Sequence, residues 1–113
     1  DANTGIVELG PLRLDHETGR AYWRSKQVEL SLTEFRMVAL MAARAGREVR
    51  YRELYDLVHG PDFVAGAGDQ GYRANVRTFI KRIRQKFHDL DANFDAIENY
   101  AGFGYRWRDD ISA

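Results

Sequence analysis

The chain has 113 residues, 44% of them hydrophobic and 12% aromatic, which suits one domain with its own core and argues against disorder. No apolar run approaches the ~20 residues of a membrane-spanning helix, and with no cysteine neither a disulfide framework nor a thiolate metal site is available. Lys plus Arg and Asp plus Glu are 17 each, for a net charge of zero, so a polyanionic partner has to be met by a local patch. No secretory leader pattern opens the sequence, and a cysteine-free composition is compatible with a reducing cytoplasm. The first residue is Asp1 rather than Met, which points to a piece of a longer protein with a partner domain before it.

The first thirty residues alternate. Val7 and Leu9, Leu12 and Leu14, Ala21 and Trp23, and Val28 and Leu30 are apolar at period two, with turn residues at Gly10-Pro11, Asp15 to Gly19 and Ser25-Lys26. This predicts four short antiparallel strands with one buried face. The period then changes. Ser31-Leu32-Thr33-Glu34 is a capping box, in which the Ser31 hydroxyl accepts from a free backbone N–H and Glu34 reaches back. Leu32, Phe35, Val38, Ala39, Ala42 and Ala43 follow on one broad face, and Gly46 supplies a left-handed stop. Val49 and Tyr51 read as a short extended link. A second helix is expected over 52–59 with Leu54, Leu57 and Val58 inward, ended by Gly60-Pro61, and residues 61–68 read as a mobile loop.

A third helix is expected over 71–88. Val76, Ile80, Ile83 and Phe87 are spaced four, three and four, which makes one buried stripe. From Gln70 to His88 there are six basic residues, Arg73, Arg77, Lys81, Arg82, Arg84 and Lys86, and no Asp or Glu. A merely solvated helix mixes signs for i,i+4 pairing, so the acid-free outer surface favours a nucleic-acid footprint. After a loop over 89–95, residues 96–101 and 105–108 read as strands around Gly102-Phe103-Gly104, a terminal hairpin.

Enzyme and metal signals are weak. Gly102-Phe103-Gly104 lacks the third glycine and following helix of a nucleotide loop. Asp89-Leu90-Asp91-Ala92-Asn93 imitates a calcium loop, but Phe94 and Tyr100 stand where Gly and Glu are needed. His16, His59 and His88 have no metal-ligand spacing, and no GxSxG or P-loop is present. No catalytic residue, metal site or cofactor is assigned.

Three runs together carry a family likeness: Leu32-Thr33-Glu34-Phe35-Arg36, then the segment from Val76 to Phe87, then Gly102-Phe103-Gly104-Tyr105-Arg106-Trp107. In this order and spacing they resemble the OmpR/PhoB family of response-regulator output domains, over nearly the whole chain. The segments 60–66, 71–77 and 98–100 further resemble ChvI-type regulators. The resemblance implies an α+β winged helix-turn-helix: an N-terminal four-stranded antiparallel sheet, three helices and a C-terminal β-hairpin wing. It implies an upstream receiver domain phosphorylated by a sensor histidine kinase, dimers on direct-repeat DNA, and contact with RNA polymerase through residues 60–70. Two departures stand out. His59 replaces a common Trp, and Ala101 replaces a common Arg of the wing, where a narrow minor groove favours a long cation.

The expected function is sequence-specific binding of double-stranded DNA in the cytoplasm, with the third helix in the major groove. Arg82, Lys81 and Thr78 are the candidates for base edges, where Arg pairs bidentately with guanine; Asn75 could also touch a base. Arg73, Arg77, Arg84, Lys86, Tyr105 and Arg106 are the candidates for phosphates. For Tyr105, packing against the third helix is an equal alternative, and for Phe79 packing is favoured over a thymine contact. A winged helix used for protein interaction and an RNA-binding module are the competing readings.

Overall fold

The computed structural model describes residues 5–59, 68–100 and 102–111. Strands β1 (Ile6–Leu9), β2 (Leu12–Asp15), β3 (Arg20–Trp23) and β4 (Lys26–Val28) form an antiparallel sheet in sequence order. Its register pairs Leu12 with Trp23, Leu14 with Ala21, and Ala21 with Val28. All five of those side chains are buried, as period-two alternation requires of a sheet with one covered face. Leu30, expected in the fourth strand, lies beyond it and is half-buried. The β3–β4 turn puts Arg24 and Ser25 at positive φ, 50° and 72°, where Asn and Gly are usual. Arg24 is held there by Asp91, 3.2 Å away, and by the Trp23 ring.

Helix α1 (Leu32–Ala43) starts at the expected box. The Glu34 N–H donates to Ser31 Oγ at 3.2 Å, and the Ser31 N–H donates to Glu34 Oε1 at 2.8 Å. Its covered face holds Phe35, Met37, Val38, Met41 and Ala42. Leu32, expected on that face, is 60% exposed, because first-turn side chains tilt past the N-terminus, away from the core. Ala43 is exposed too. Gly46 takes φ 85°, and its N–H donates to the Trp107 carbonyl at 2.8 Å.

Residues 48–50, expected as a link, are strand β5 (Glu48–Arg50), and Tyr51 is the first residue of α2 (Tyr51–His59). One buried residue, Val49, is too short an alternation to be legible as a strand; its pairing comes from the far end of the chain. Strands β6 (Ile97–Tyr100) and β7 (Gly104–Trp107) form the expected hairpin, and β7 also pairs with β5, giving the order β5-β7-β6. Helix α3 (Gly68–Leu90) is longer at both ends than expected. Gly68 falls within its first turn rather than in a loop, and the Asp91 N–H donates to the Phe87 carbonyl at 2.9 Å. The rest of the anticipated loop, 60–67, lies outside the described residues.

Val76, Ile80, Ile83 and Phe87 are at most 1% exposed, so the predicted stripe of α3 is its anchored face. Trp23, Phe87, Phe94 and Trp107 form the aromatic centre where the two sheets meet α3, with ring centroids 4.5–6.2 Å apart. A four-stranded sheet, three helices and a hairpin joined through β5 make a winged helix-turn-helix.

The close pairing of β5 with β7 at Gly104 is testable. A Cβ there would overlap the Val49 carbonyl, whereas one at Gly102 meets open space and only the strain of φ 77°. Gly104→Ala is expected to lower unfolding free energy by about 3 kcal/mol and Gly102→Ala by about 1 kcal/mol. Urea midpoints at unchanged slope measure both; equal losses would contradict the close approach.

Candidate nucleic-acid interface

Helix α3 is where the sequence concentrates cations, and its buried stripe decides which of them face outward. Arg77, Thr78, Lys81 and Arg82 are exposed, while Arg73, Asn75, Phe79, Arg84 and Lys86 are half-buried. The Thr78 hydroxyl donates back to the Ala74 carbonyl at 3.0 Å, a local bond that water or a base edge can replace. The Arg82 guanidinium sits 5.9 Å from the Phe79 ring centroid, which places Phe79 as packing under a cation.

The cations divide by partner. Lys86 Nζ donates to Glu34 Oε1 at 2.5 Å, and Glu34 is only 3% exposed. Burial pushes the Glu34 carboxyl up, but hydrogen bonds from Lys86 and from Ser31 outweigh it and hold the group below the usual Glu range. Arg106 is bound to Glu98 through Nε at 2.9 Å and Nη2 at 2.5 Å, which raises its pKa further. Tyr105 is 3% exposed, and burial pushes its phenol up. Expected as phosphate contacts, these three therefore have their polar groups committed within the fold: Lys86 to α1, Arg106 across the hairpin, and Tyr105 beneath α3.

Among the described residues, the remaining α3 cations have no carboxylate partner. Arg73 and Arg77 lie 5.6 and 5.9 Å from the Tyr51 ring centroid, and Arg84 lies 5.6 Å from that of Tyr105. The Tyr51 and Tyr105 rings meet edge-on at 5.5 Å. Arg84 Nη2 donates to the Ile97 carbonyl at 2.9 Å, which ties α3 to the hairpin. An open furrow runs between α3 and the hairpin, lined by Arg77, Lys81 and Arg84 on one wall and Asn99 and Tyr105 on the other. A guanidinium over a tyrosine face keeps its charge without a counter-ion, so the furrow is a cationic groove with an aromatic floor. Asn75 Oδ1 and Arg73 Nε are buried without a hydrogen-bond partner.

Tyr51 and Asn99, which join the two halves of this surface at 3.5 Å, were not singled out in the sequence. The available signal was Arg50-Tyr51-Arg52, an aromatic between two cations. The side chain of His59, residues 60–67 and Ala101 lie outside the described residues, so the two family departures and the polymerase loop have no structural account. Among the described residues there is no cluster of His, Asp or Glu that could hold a metal, and no helix is long and apolar enough to cross a membrane.

A winged helix whose third helix carries six cations and no acid between residues 70 and 88 is the architecture of a regulator's C-terminal domain. Residues 25–107 match the family model described as transcriptional regulatory protein, C terminal, and the chain belongs to that family. It is 29% identical over 105 residues to the sensory transduction protein RegX3 of Mycolicibacterium smegmatis, covering 93% of this chain and 43% of that protein. It is 31% identical over 100 residues to the transcriptional regulatory protein BaeR of Escherichia coli, covering 88% and 39%. The chain thus spans about two fifths of those relatives. Its fold is similar to that of the response regulator DrrB, an OmpR/PhoB homolog of Thermotoga maritima (TM-score 0.70, 27% identity, 92% of this chain and 44% of that one). The Klebsiella pneumoniae RstA DNA-binding domain, solved in complex with the RstA box, shares the fold (TM-score 0.73, 22% identity, 91% and 96%). The narrower ChvI-type likeness rests on sequence segments alone.

The Glu34–Lys86 pair gives a pH-dependent expectation. A carboxyl whose folded value is depressed stabilises the fold above its ordinary value, 4.5 for Glu34, and that contribution is lost as pH falls through the folded value. Lys86→Met is expected to destabilise by about 2 kcal/mol at pH 7, below the loss for a fully buried pair because Lys86 is half-exposed. The gap to wild type should close as pH falls below 4.5. Denaturant unfolding across pH measures this; a pH-independent gap would contradict the pairing.

Proposed function

We propose that the chain binds double-stranded DNA in a sequence-specific way, as the output domain of a two-component transcriptional response regulator. The observation that carries this reading is the row of cations on α3 that have no carboxylate partner among the described residues, on a helix whose other face is locked into the core. Thr78, Lys81 and Arg82 are the exposed groups at mid-helix and are assigned to base edges in the major groove. Arg73, Arg77 and Arg84 are assigned to phosphates. Lys86, Tyr105 and Arg106 are reassigned as positioning residues. Asn75 is assigned a base contact through its amide. The RstA box in one structural neighbour, and an intercistronic region in another, the response regulator AdeR DNA-binding domain, are in line with a duplex as ligand.

The family supplies the wider setting. In it, the domain follows a receiver in one chain, the receiver is phosphorylated by a cognate sensor histidine kinase, two copies occupy direct repeats, and residues 60–70 face RNA polymerase. DNA as the ligand makes the site of action the cytoplasm, and the domain acts by binding rather than by catalysis. An isolated domain of zero net charge binds weakly until a second copy raises the effective concentration.

Fluorescence anisotropy of the chain with a random-sequence duplex pool, followed across salt, tests the reading. Binding is expected to weaken with a log–log slope of about −0.9 for each phosphate neutralised, and Lys81→Ala/Arg82→Ala should abolish most of it. Arg82→Ala alone is expected to relax preference at one base pair, and Lys86→Ala to leave the slope unchanged. No binding at low salt, with capture of an acidic protein partner instead, would favour a protein-interaction module.

A further inference from the structure

A second cationic cleft opens where β5 runs into α2, beside the turn of the wing. Its lining is Arg50, Tyr51, Arg52, Arg73, Gly102 and Phe103. Arg52 is paired with Asp56 at 3.2 Å, but among the described residues no carboxylate forms an ion pair with Arg50 or Arg73. Glu53, three residues on, accepts from Arg44 Nη1 at 2.5 Å and from the Arg50 backbone N–H at 3.0 Å, and the charges of Arg44 and, more weakly, Arg50 help hold it below the usual Glu range. The Arg50 guanidinium lies 5.4 Å from the Phe103 ring centroid, and Phe103 is 44% exposed. The Arg73 Nε is buried with no partner, a donor whose desolvation is uncompensated unless a ligand meets it.

Register explains how a cation of β5 reaches the wing. Arg50 pairs with Gly104, the first residue after the turn, and the missing side chain at Gly104 lets the two strands close up. Residues 101–103 read Ala-Gly-Phe in the sequence and include no cation. The cleft continues the α3 furrow, because Arg73 and Arg77 flank the same Tyr51 ring. Two guanidinium forks beside an exposed aromatic suit a tetrahedral oxyanion with a sugar against the ring.

We propose that Arg50 and Arg73, with Phe103, form a second phosphodiester subsite at the wing, in which Arg50 supplies from β5 the cation that the wing turn lacks. This rests on the reading of α3 as a DNA-binding helix and extends the footprint by one backbone phosphate. A phosphate contact fixes register without reading sequence, so the subsite sets affinity and salt response rather than preference.

The test uses the whole chain and its selected duplex, with Arg50→Gln, Phe103→Ala and the Lys81→Ala/Arg82→Ala variant measured together. Thermal unfolding checks that each variant is folded. Arg50→Gln is expected to flatten the salt slope by about one and to leave the selected sequence unchanged. Duplexes neutralised at one backbone position at a time by methylphosphonate locate the contact. Wild type should lose affinity at a position outside the base-contact stretch, and Arg50→Gln should be indifferent there. Phe103→Ala should weaken binding of the unmodified duplex. If Arg50→Gln keeps the wild-type slope and methylphosphonate profile while the α3 double variant loses binding, the subsite is wrong and the α3 reading stands. If wild type binds no duplex, both fall.

Discussion

Trp23 stands at the point where the two sheets and α3 meet. Its indole packs edge-on against Phe87 of α3, Phe94 of the following loop and Trp107 of β7, and its Nε1 donates to Asp91 at 2.9 Å. Aromatic pairs of this kind contribute about 0.5–1.5 kcal/mol each beyond the area they bury, and here they share one centre. Asp91 also takes Arg24 at 3.2 Å, and hydrogen bonds from Trp23, Asn93 and Arg24 hold its carboxyl below the usual Asp range. The end of α3 is thereby fixed to a sheet whose strands lie more than sixty positions away in the chain.

Two further ties set the rotation of α3 about its axis. Lys86 reaches the buried Glu34 at the start of α1, and Arg84 reaches the Ile97 carbonyl of the hairpin. Lys86 is thereby used to build the fold, while Arg84 is tied by one guanidinium nitrogen and still lines the furrow. Arg77, Lys81 and Arg82 are exposed. Partition of one basic helix into paired and unpaired charges is what separates positioning from binding here, and it explains how a chain with no net charge can present a cationic face. The acids are spent at the caps, in the hairpin and at the helix end, where they meet Arg24, Arg44, Arg52, Lys86, Arg106 and Arg108.

Much of this was legible from local pattern. The meander, the Ser31–Glu34 box and the stripe Val76, Ile80, Ile83, Phe87 are signals of period or capping that a short window contains. What was not legible depends on residues far apart in the chain. Strand β5 has one buried side chain and takes its identity from β7. The partners of Lys86 and Arg106 are an acid 52 positions earlier and one across a hairpin, so a helical wheel or a strand alternation shows only that these residues could face outward. Tyr105 was left between packing and contact, and its side chain is buried. Arg50 was not singled out and Tyr51 was read only as part of a link, because their neighbours appear only once β5, α2 and the wing turn are adjacent.

The central claim is that the exposed cations of α3, together with the wing turn beside them, and not the outer face of the N-terminal sheet, meet the duplex. Titrating the isotopically labelled chain with a selected duplex and following backbone amide shifts tests this most directly. The account expects the largest changes at Arg77, Thr78, Lys81, Arg82 and Phe103, with Glu8, Arg13 and Tyr22 on the sheet unmoved. Shifts centred on the sheet residues, with α3 silent, would contradict it.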